Sequence, residues 1–268
     1  MLNAILRWIG TVTARFLTSE AEGAPPLVPY DFDDLRRTLR IGDVLLIDGT
    51  TRIALPIKYL TQSTWSHAAL FVGPIEGRNE PDSEPHVLIE AELIDGVRSS
   101  PLSRYRGAHT RICRPIGLTE QDASMIAAYA VGRIGERYDL RNMFDLARFL
   151  LPAWIIPARF RRRSLAIGAG DPTRAICSTL VAQAFQSIHY PILPMIERVE
   201  DAVASSGLHD HVMREIMHVR NSSLYVPRDF DISPYFAVIK PMVVRGFDFH
   251  ALPWGPGGAL APSRDATN

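Results

Sequence analysis

TWSHAALFVG (residues 64–73) and HVLIEAEL (residues 86–93) decide how this chain folds. Side chains alternate along a strand, so in the first stretch Ala68, Leu70 and Val72 share one face and His67, Ala69 and Phe71 the other. In the second, Val87, Ile89, Ala91 and Leu93 point one way while Leu88, Glu90 and Glu92 point the other. A histidine and a pair of carboxylates thus lie on two strands that are otherwise apolar. A carboxylate on a buried strand is costly unless it is paired, and a neighbouring imidazole is a fitting partner. Alternation does not choose between Glu90 and Glu92.

Upstream, IGDVLLIDG (41–49) is a compact apolar strand opened by Gly42-Asp43 and closed by Asp48-Gly49. DFDDLRRTLR (31–40) and TRIALPIKYLTQ (51–62) read as short helices, the latter started or interrupted by Pro56. The polar, proline-bearing stretch 73–85 is an exposed loop, GVRSSPLSRYRG (96–107) a fourth strand with a turn, and HTRICRPI (109–116) a fifth. Strands at this spacing predict an antiparallel meander.

The pattern then turns helical. Thr119 with Asp122 three residues on marks a helix start before an Ala-rich run to Gly132 or Gly135. A second helix is expected over Tyr138 to Leu151 and a third over ICSTLVAQAFQSIHY (176–190). A last strand is expected near Phe236 to Ile239, and the tail from Pro253 should fray. Strands first and helices mostly later place the chain in the α+β class.

With 268 residues, 47% hydrophobic and 22% charged, a sizeable core is within reach. Basic and acidic residues balance at 29 each, which gives no reason to expect nucleic acid as a partner. Cys113 and Cys177 are the only cysteines, too few for a disulfide framework or a structural zinc site of their own. From Leu2 to Leu17 the apolar residues follow a helical stripe interrupted by Arg7 and Arg15. Those charges argue against an export signal. The expectation is a cytoplasmic protein whose first residues pack on the domain, with an interfacial membrane helix as the alternative.

Cys177 falls in the first turn of the third predicted helix and shares a face with Leu180, Val181, Ala184, Phe185 and Ile188. Unpaired amides at a helix start favour a thiolate there. By position alone Cys177 reads first as a buried core thiol, and His67 alone as a structural histidine. Cys113, inside the strand RICRP, reads as a small structural residue, His209-Asp210-His211 as a solvated turn, and Arg159, Arg161, Arg162 and Arg163 as a basic loop.

Taken in order, GDVLLI, TWSHAALFVG, VLIEAE, VRSSPLSRY, RYD and ICSTLVAQAF resemble the permuted branch of the NlpC-type papain-like amidases, the YiiX/YaeF-like proteins. Histidine before acid before cysteine reverses the ordinary papain order. The resemblance runs from about Gly42 to Phe185, and VPRDFDISPYFAVIKP also matches the end of such proteins. It implies a papain-like fold over residues 31–245, preceded by an amphipathic helix and linker over 1–30 and followed by a flexible tail over 246–268. It further implies Cys177 as nucleophile, His67 as base, Glu90 as the third polar residue and Tyr138 as a pocket-lining residue, with no metal or cofactor. Gly42 and Asp43 are turn and strand opening. The implied activity is cleavage of a peptide or small amide. The alternatives are a thiol esterase or acyltransferase acting on lipid at a membrane surface, favoured by the Leu2–Leu17 stripe and the FLLPAWII run (149–156), and a non-catalytic binding module.

Overall fold

The computed structural model describes residues 30–77, 84–92, 95–137, 176–202 and 211–246, together with 19, 248 and 250. Within these, α1 (Phe32–Thr38) is followed by β1 (Val44–Ile47), α2 (Ala54–Thr61), β2 (His67–Phe71), β3 (His86–Glu92) and β4 (Gly96–Pro101). A 3-10 helical turn (Leu102–Tyr105) leads to β5 (Thr110–Pro115), α3 (Glu120–Gly132) and α4 (Ile176–Gln186). Then come β6 (Met195–Ala202), β7 (His211–His218), α5 (Pro227–Ile232), β8 (Phe236–Ile239) and α6 (Pro241–Arg245).

Six strands form one antiparallel sheet in the order β4-β3-β2-β1-β5-β8. The mixed α/β architecture, an antiparallel sheet packed against helices, agrees with the class expected. The meander holds from β1 to β4. It then breaks: β5 returns to the free side of β1, with Val44 opposite Cys113 and Ile47 opposite Thr110. β6 and β7 form a separate two-stranded ribbon in a region where no strands were expected, so His211 opens a strand rather than sitting in a solvated turn. His209, Asp210, the 138–151 helix, the basic cluster at 159–163, the N-terminal stripe and the tail from Pro253 lie outside the described residues.

Both faces of the sheet are covered, which explains why β1 is apolar at every position. On one face Val44, Leu46, Ala68, Leu70, Ile89 and Ala91 pack with Leu180, Val181, Ala184 and Phe185 of α4 and Ile126 of α3. On the other, Leu45, Ile47, Ala69, Leu88 and Ile112 pack with Leu35 of α1 and Leu102 of the 3-10 turn. The helices begin where side chains cap them. Thr119 and Asp122 form a reciprocal capping box at α3, and the Asp31 carboxylate accepts from the Asp33 amide at α1. α2 begins at Ala54, two residues before Pro56, which therefore occupies the first turn, where its missing N–H costs nothing. α4 stops at Gln186, short of the expected end, and His189 takes a left-handed φ of 58°.

Gly96 opens β4 with a φ of +72°, and a Cβ there would stand 2.2 Å from the Glu136 carbonyl oxygen. The close approach lets Val97 donate to Glu136 and accept from Gly135, tying the loop after α3 to the start of β4.

Phe185 is the hub of the helix-covered face, fully buried with ring centroids 5.1 Å from Phe236, 5.4 Å from Tyr190 and 6.4 Å from Phe230. Phe185→Ala empties a site ringed by stiff aromatics that collapse poorly, and should destabilise the protein by about 4 kcal/mol. The shift of the urea unfolding midpoint at constant slope measures it.

Candidate active site

β2 and β3 pair with Leu70 opposite Ile89 and Phe71 opposite Leu88. His67 and Glu90 consequently project from the same face of the sheet on adjacent strands. His67 Nε2 lies 2.8 Å from Glu90 Oε2. A carboxylate only accepts, so Nε2 carries the proton and Nδ1 is left as the acceptor of the neutral ring. The Cys177 side chain hydrogen-bonds the same imidazole. Cys177 is the second residue of α4 (Ile176–Gln186). A thiol, an imidazole and a carboxylate from α4, β2 and β3 are thereby linked.

The two acids of β3 have different fates. Glu90 is fully buried, whereas the Glu92 side chain is one quarter exposed. Glu90 Oε1 accepts from Arg98 Nη2 at 3.2 Å and faces Arg104 Nε at 3.6 Å, while Oε2 accepts from His67 and from the Tyr105 hydroxyl. Glu92 Oε1 takes Arg98 Nη2 at 2.7 Å and Arg104 Nη2 at 2.8 Å.

This surrounding sets the charge states. Burial pulls the His67 imidazole down, but the Cys177 charge, the Cys177 hydrogen bond and Glu90 outweigh it and push it up to about 10. Burial likewise opposes the Glu90 charge, yet the His67 hydrogen bond and charge, the Tyr105 hydroxyl and Arg98 hold its carboxyl well below the usual range. Cys113 is a different kind of thiol: completely buried, hydrogen-bonded to no histidine, and pushed far up by burial and then by Asp231.

Neighbouring contacts hold the segments that carry His67 and Cys177 in place. Trp65 Nε1 donates to Asp231 Oδ2 at 3.0 Å, and Arg111 grips both Asp231 oxygens at 2.6 and 2.8 Å. Ser66 Oγ accepts from the Gly49 amide at 2.9 Å, so both residues ahead of His67 are anchored. Beside the thiol, Ser178 Oγ donates to the Tyr225 carbonyl at 2.6 Å. Gly42 and Asp43 do the structural work expected of them. Gly42 adopts a φ of +92°, and Asp43 accepts from the Arg40 amide and receives Arg114 at 2.9 and 2.7 Å.

The structure thus brings His67, Glu90 and Cys177 together. Tyr138 lies outside the described residues. Arg98, Arg104 and Tyr105 had no role in the sequence reading, although all three lie in VRSSPLSRY. Arg98 had a readable signal: with β3 and β4 paired antiparallel, Arg98 stands directly opposite Glu90. Arg104 and Tyr105 had none, because they reach Glu90 only after the 3-10 turn folds them back. Among the described residues, no group of three or more His, Cys, Asp or Glu is placed to hold a metal ion, and no helix is long and apolar enough to cross a membrane.

No known family model matches the sequence, and no curated protein matches it significantly. Among solved structures the chain is similar to the metalloprotein YiiX of Escherichia coli O157:H7, with a TM-score of 0.43 and 15% identity over 75% of this chain and 96% of that one.

Proposed function

We propose that this chain is a cysteine-dependent hydrolase of the permuted NlpC, papain-like type, cleaving an amide bond through a thioacyl-enzyme. The observation that carries the reading is the hydrogen-bonded series from the Cys177 thiol through the His67 ring to a fully buried, ionised Glu90. The Cys177 proton resides on His67 Nδ1 in an imidazolium–thiolate pair, and the thiolate attacks the substrate carbonyl carbon. The carbonyl oxygen becomes an oxyanion beside the start of α4, where the helix dipole favours negative charge. As the tetrahedral adduct collapses, the carbon–nitrogen bond breaks and His67 returns the proton to the departing amine. Water, deprotonated by His67, then hydrolyses the thioester and frees Cys177. Glu90 keeps Nε2 protonated throughout, so proton exchange is confined to Nδ1, which faces the thiol.

A second reading is favoured by α2, the helix just upstream of the His67 strand, where Leu55 is 59% and Tyr59 76% exposed. Exposed apolar side chains so close in sequence to the site suit a lipid ester as substrate and acyl transfer in place of hydrolysis. Both readings use the same thiolate, in contrast to a non-catalytic binding module.

Treating the purified protein with an electrophilic amide and an electrophilic ester, then mapping adducts by peptide mass spectrometry, tests the proposal. Labelling is expected at Cys177 and absent at Cys113. Modification of Cys113 alone, or of neither thiol, would sink the hydrolase reading. Preference for the ester probe would favour the lipid reading.

A further inference from the structure

Glu90 accepts three hydrogen bonds and faces a further cation, shared between its two oxygens. Arg98 Nη2 at 3.2 Å and Arg104 Nε at 3.6 Å face Oε1; His67 Nε2 at 2.8 Å and the Tyr105 hydroxyl meet Oε2. A carboxylate offers about four lone-pair sites, and on Oε2 both are taken, by His67 and Tyr105. The two arginines, which Glu92 also shares, supply the neutralising charge. Tyr105 adds no charge. What it adds is competition, because it binds the oxygen that His67 binds. Its ring sits beside the imidazole, with centroids 6.3 Å apart, and packs against the second apolar cluster, which aims the hydroxyl at Oε2.

We propose that Tyr105 is a positioning residue acting through Glu90. By occupying one side of Oε2 it fixes the rotation of the carboxylate and limits how strongly that oxygen draws the Nε2 proton. His67 is then held with Nδ1 toward Cys177, yet remains acidic enough to hand a proton to a leaving group. The proposal rests on the catalytic reading of Cys177 and His67. The neighbours that bear on the imidazole charge are Cys177 from α4, Glu90 and Glu92 from β3, Asp95 and Arg98 at β4, and Arg104 and Tyr105 from the 3-10 turn.

The direction of the effect separates positioning from mere packing. Tyr105→Phe keeps the ring and removes only the hydroxyl. Oε2 then gives itself to Nε2–H alone, which favours the imidazolium. The titration midpoint of His67, followed by NMR of its ring nitrogens and assigned by the loss of its signals in His67→Asn, should rise by up to about one pH unit, the size of a single hydrogen bond. If Tyr105 only packed, the phenylalanine ring would serve as well and the midpoint would stay; a fall would mean that the hydroxyl had been supporting the imidazolium rather than competing for Oε2. Either of those results overturns the proposal. Should Tyr105→Phe not fold, 3-fluorotyrosine placed at position 105 donates a stronger hydrogen bond without changing the packing, and must lower the midpoint; no change or a rise overturns the proposal equally.

Alkylation of Cys177 by iodoacetamide in the unsubstituted protein keeps the two readings apart. Failure to alkylate Cys177 defeats the catalytic reading. Alkylation together with an unmoved His67 midpoint defeats only the Tyr105 proposal.

Discussion

Cys177→Ser should abolish turnover while leaving the fold intact. Serine is nearly the same size, and its hydroxyl can still bond to His67, so the packing around α4 has little reason to change. The chemistry does change. His67 can take a proton from a thiol far more readily than from an aliphatic hydroxyl, and the intermediate bond to sulfur is lost. Where residues act as one unit, removing the nucleophile costs about as much as removing the whole set. A fall on the order of 10⁴-fold or more in kcat is therefore expected. The Cys177 charge is also the largest influence raising the His67 imidazole. The serine variant should show its His67 titration displaced downward from about 10. Retained turnover, or an unmoved His67, would mean that sulfur and imidazole do not work together.

Glu90→Gln should produce the second large effect, on activity and stability alike. An amide has the shape of the carboxylate but carries two N–H donors on one side. Whichever way it turns, it meets the Nε2–H of His67, the Tyr105 hydroxyl or the arginines with a donor. His67 then loses both its orientation and its countercharge, and kcat should fall by roughly 10²- to 10⁴-fold. Removing one partner from a buried ionic network also destabilises the fold, by about 3 kcal/mol or more.

The pH dependence of that loss has a definite sign. Glu90 is held below its ordinary 4.5, so its contribution is present above pH 4.5 and is lost as acid protonates the folded carboxyl. His67 is raised from 6.5 to about 10, so its contribution is complete below 6.5 and declines as the pH rises through about 10. Both act in full between 4.5 and 6.5. Urea midpoints of the parent and Glu90→Gln proteins should differ most in that window and converge in strong acid. A difference that does not change with pH would show that Glu90 contributes packing rather than charge.

Much of the fold is written locally. The alternation in TWSHAALFVG and HVLIEAEL placed two strands and put His67 and Glu90 on named faces, because side-chain direction in a strand depends only on position parity. Thr119 and Asp122 announced α3 for an equally local reason, a hydrogen-bond exchange across three residues. The β6–β7 ribbon escaped notice because its pairing joins segments across eight intervening residues whose composition resembles a loop. The return of β5 to β1 escaped because strand order is a choice among free edges, made by packing and not by pattern.

The same division runs through the candidate site. Sequence alone put a histidine and two acids on neighbouring strands and a cysteine at a helix start, and their order in the chain joined them into one reading. It could not choose between Glu90 and Glu92, which share a face. Burial chose, because the tertiary structure seals Glu90 beneath His67, Tyr105 and Arg98 and leaves Glu92 at the rim. Trp65 meeting Asp231 across 166 residues, and Tyr105 meeting Glu90 through a folded-back turn, belong to the same class of fact. Periodicity reports which way a side chain points. What it points at depends on which distant segments pack there, and only the folded chain determines that.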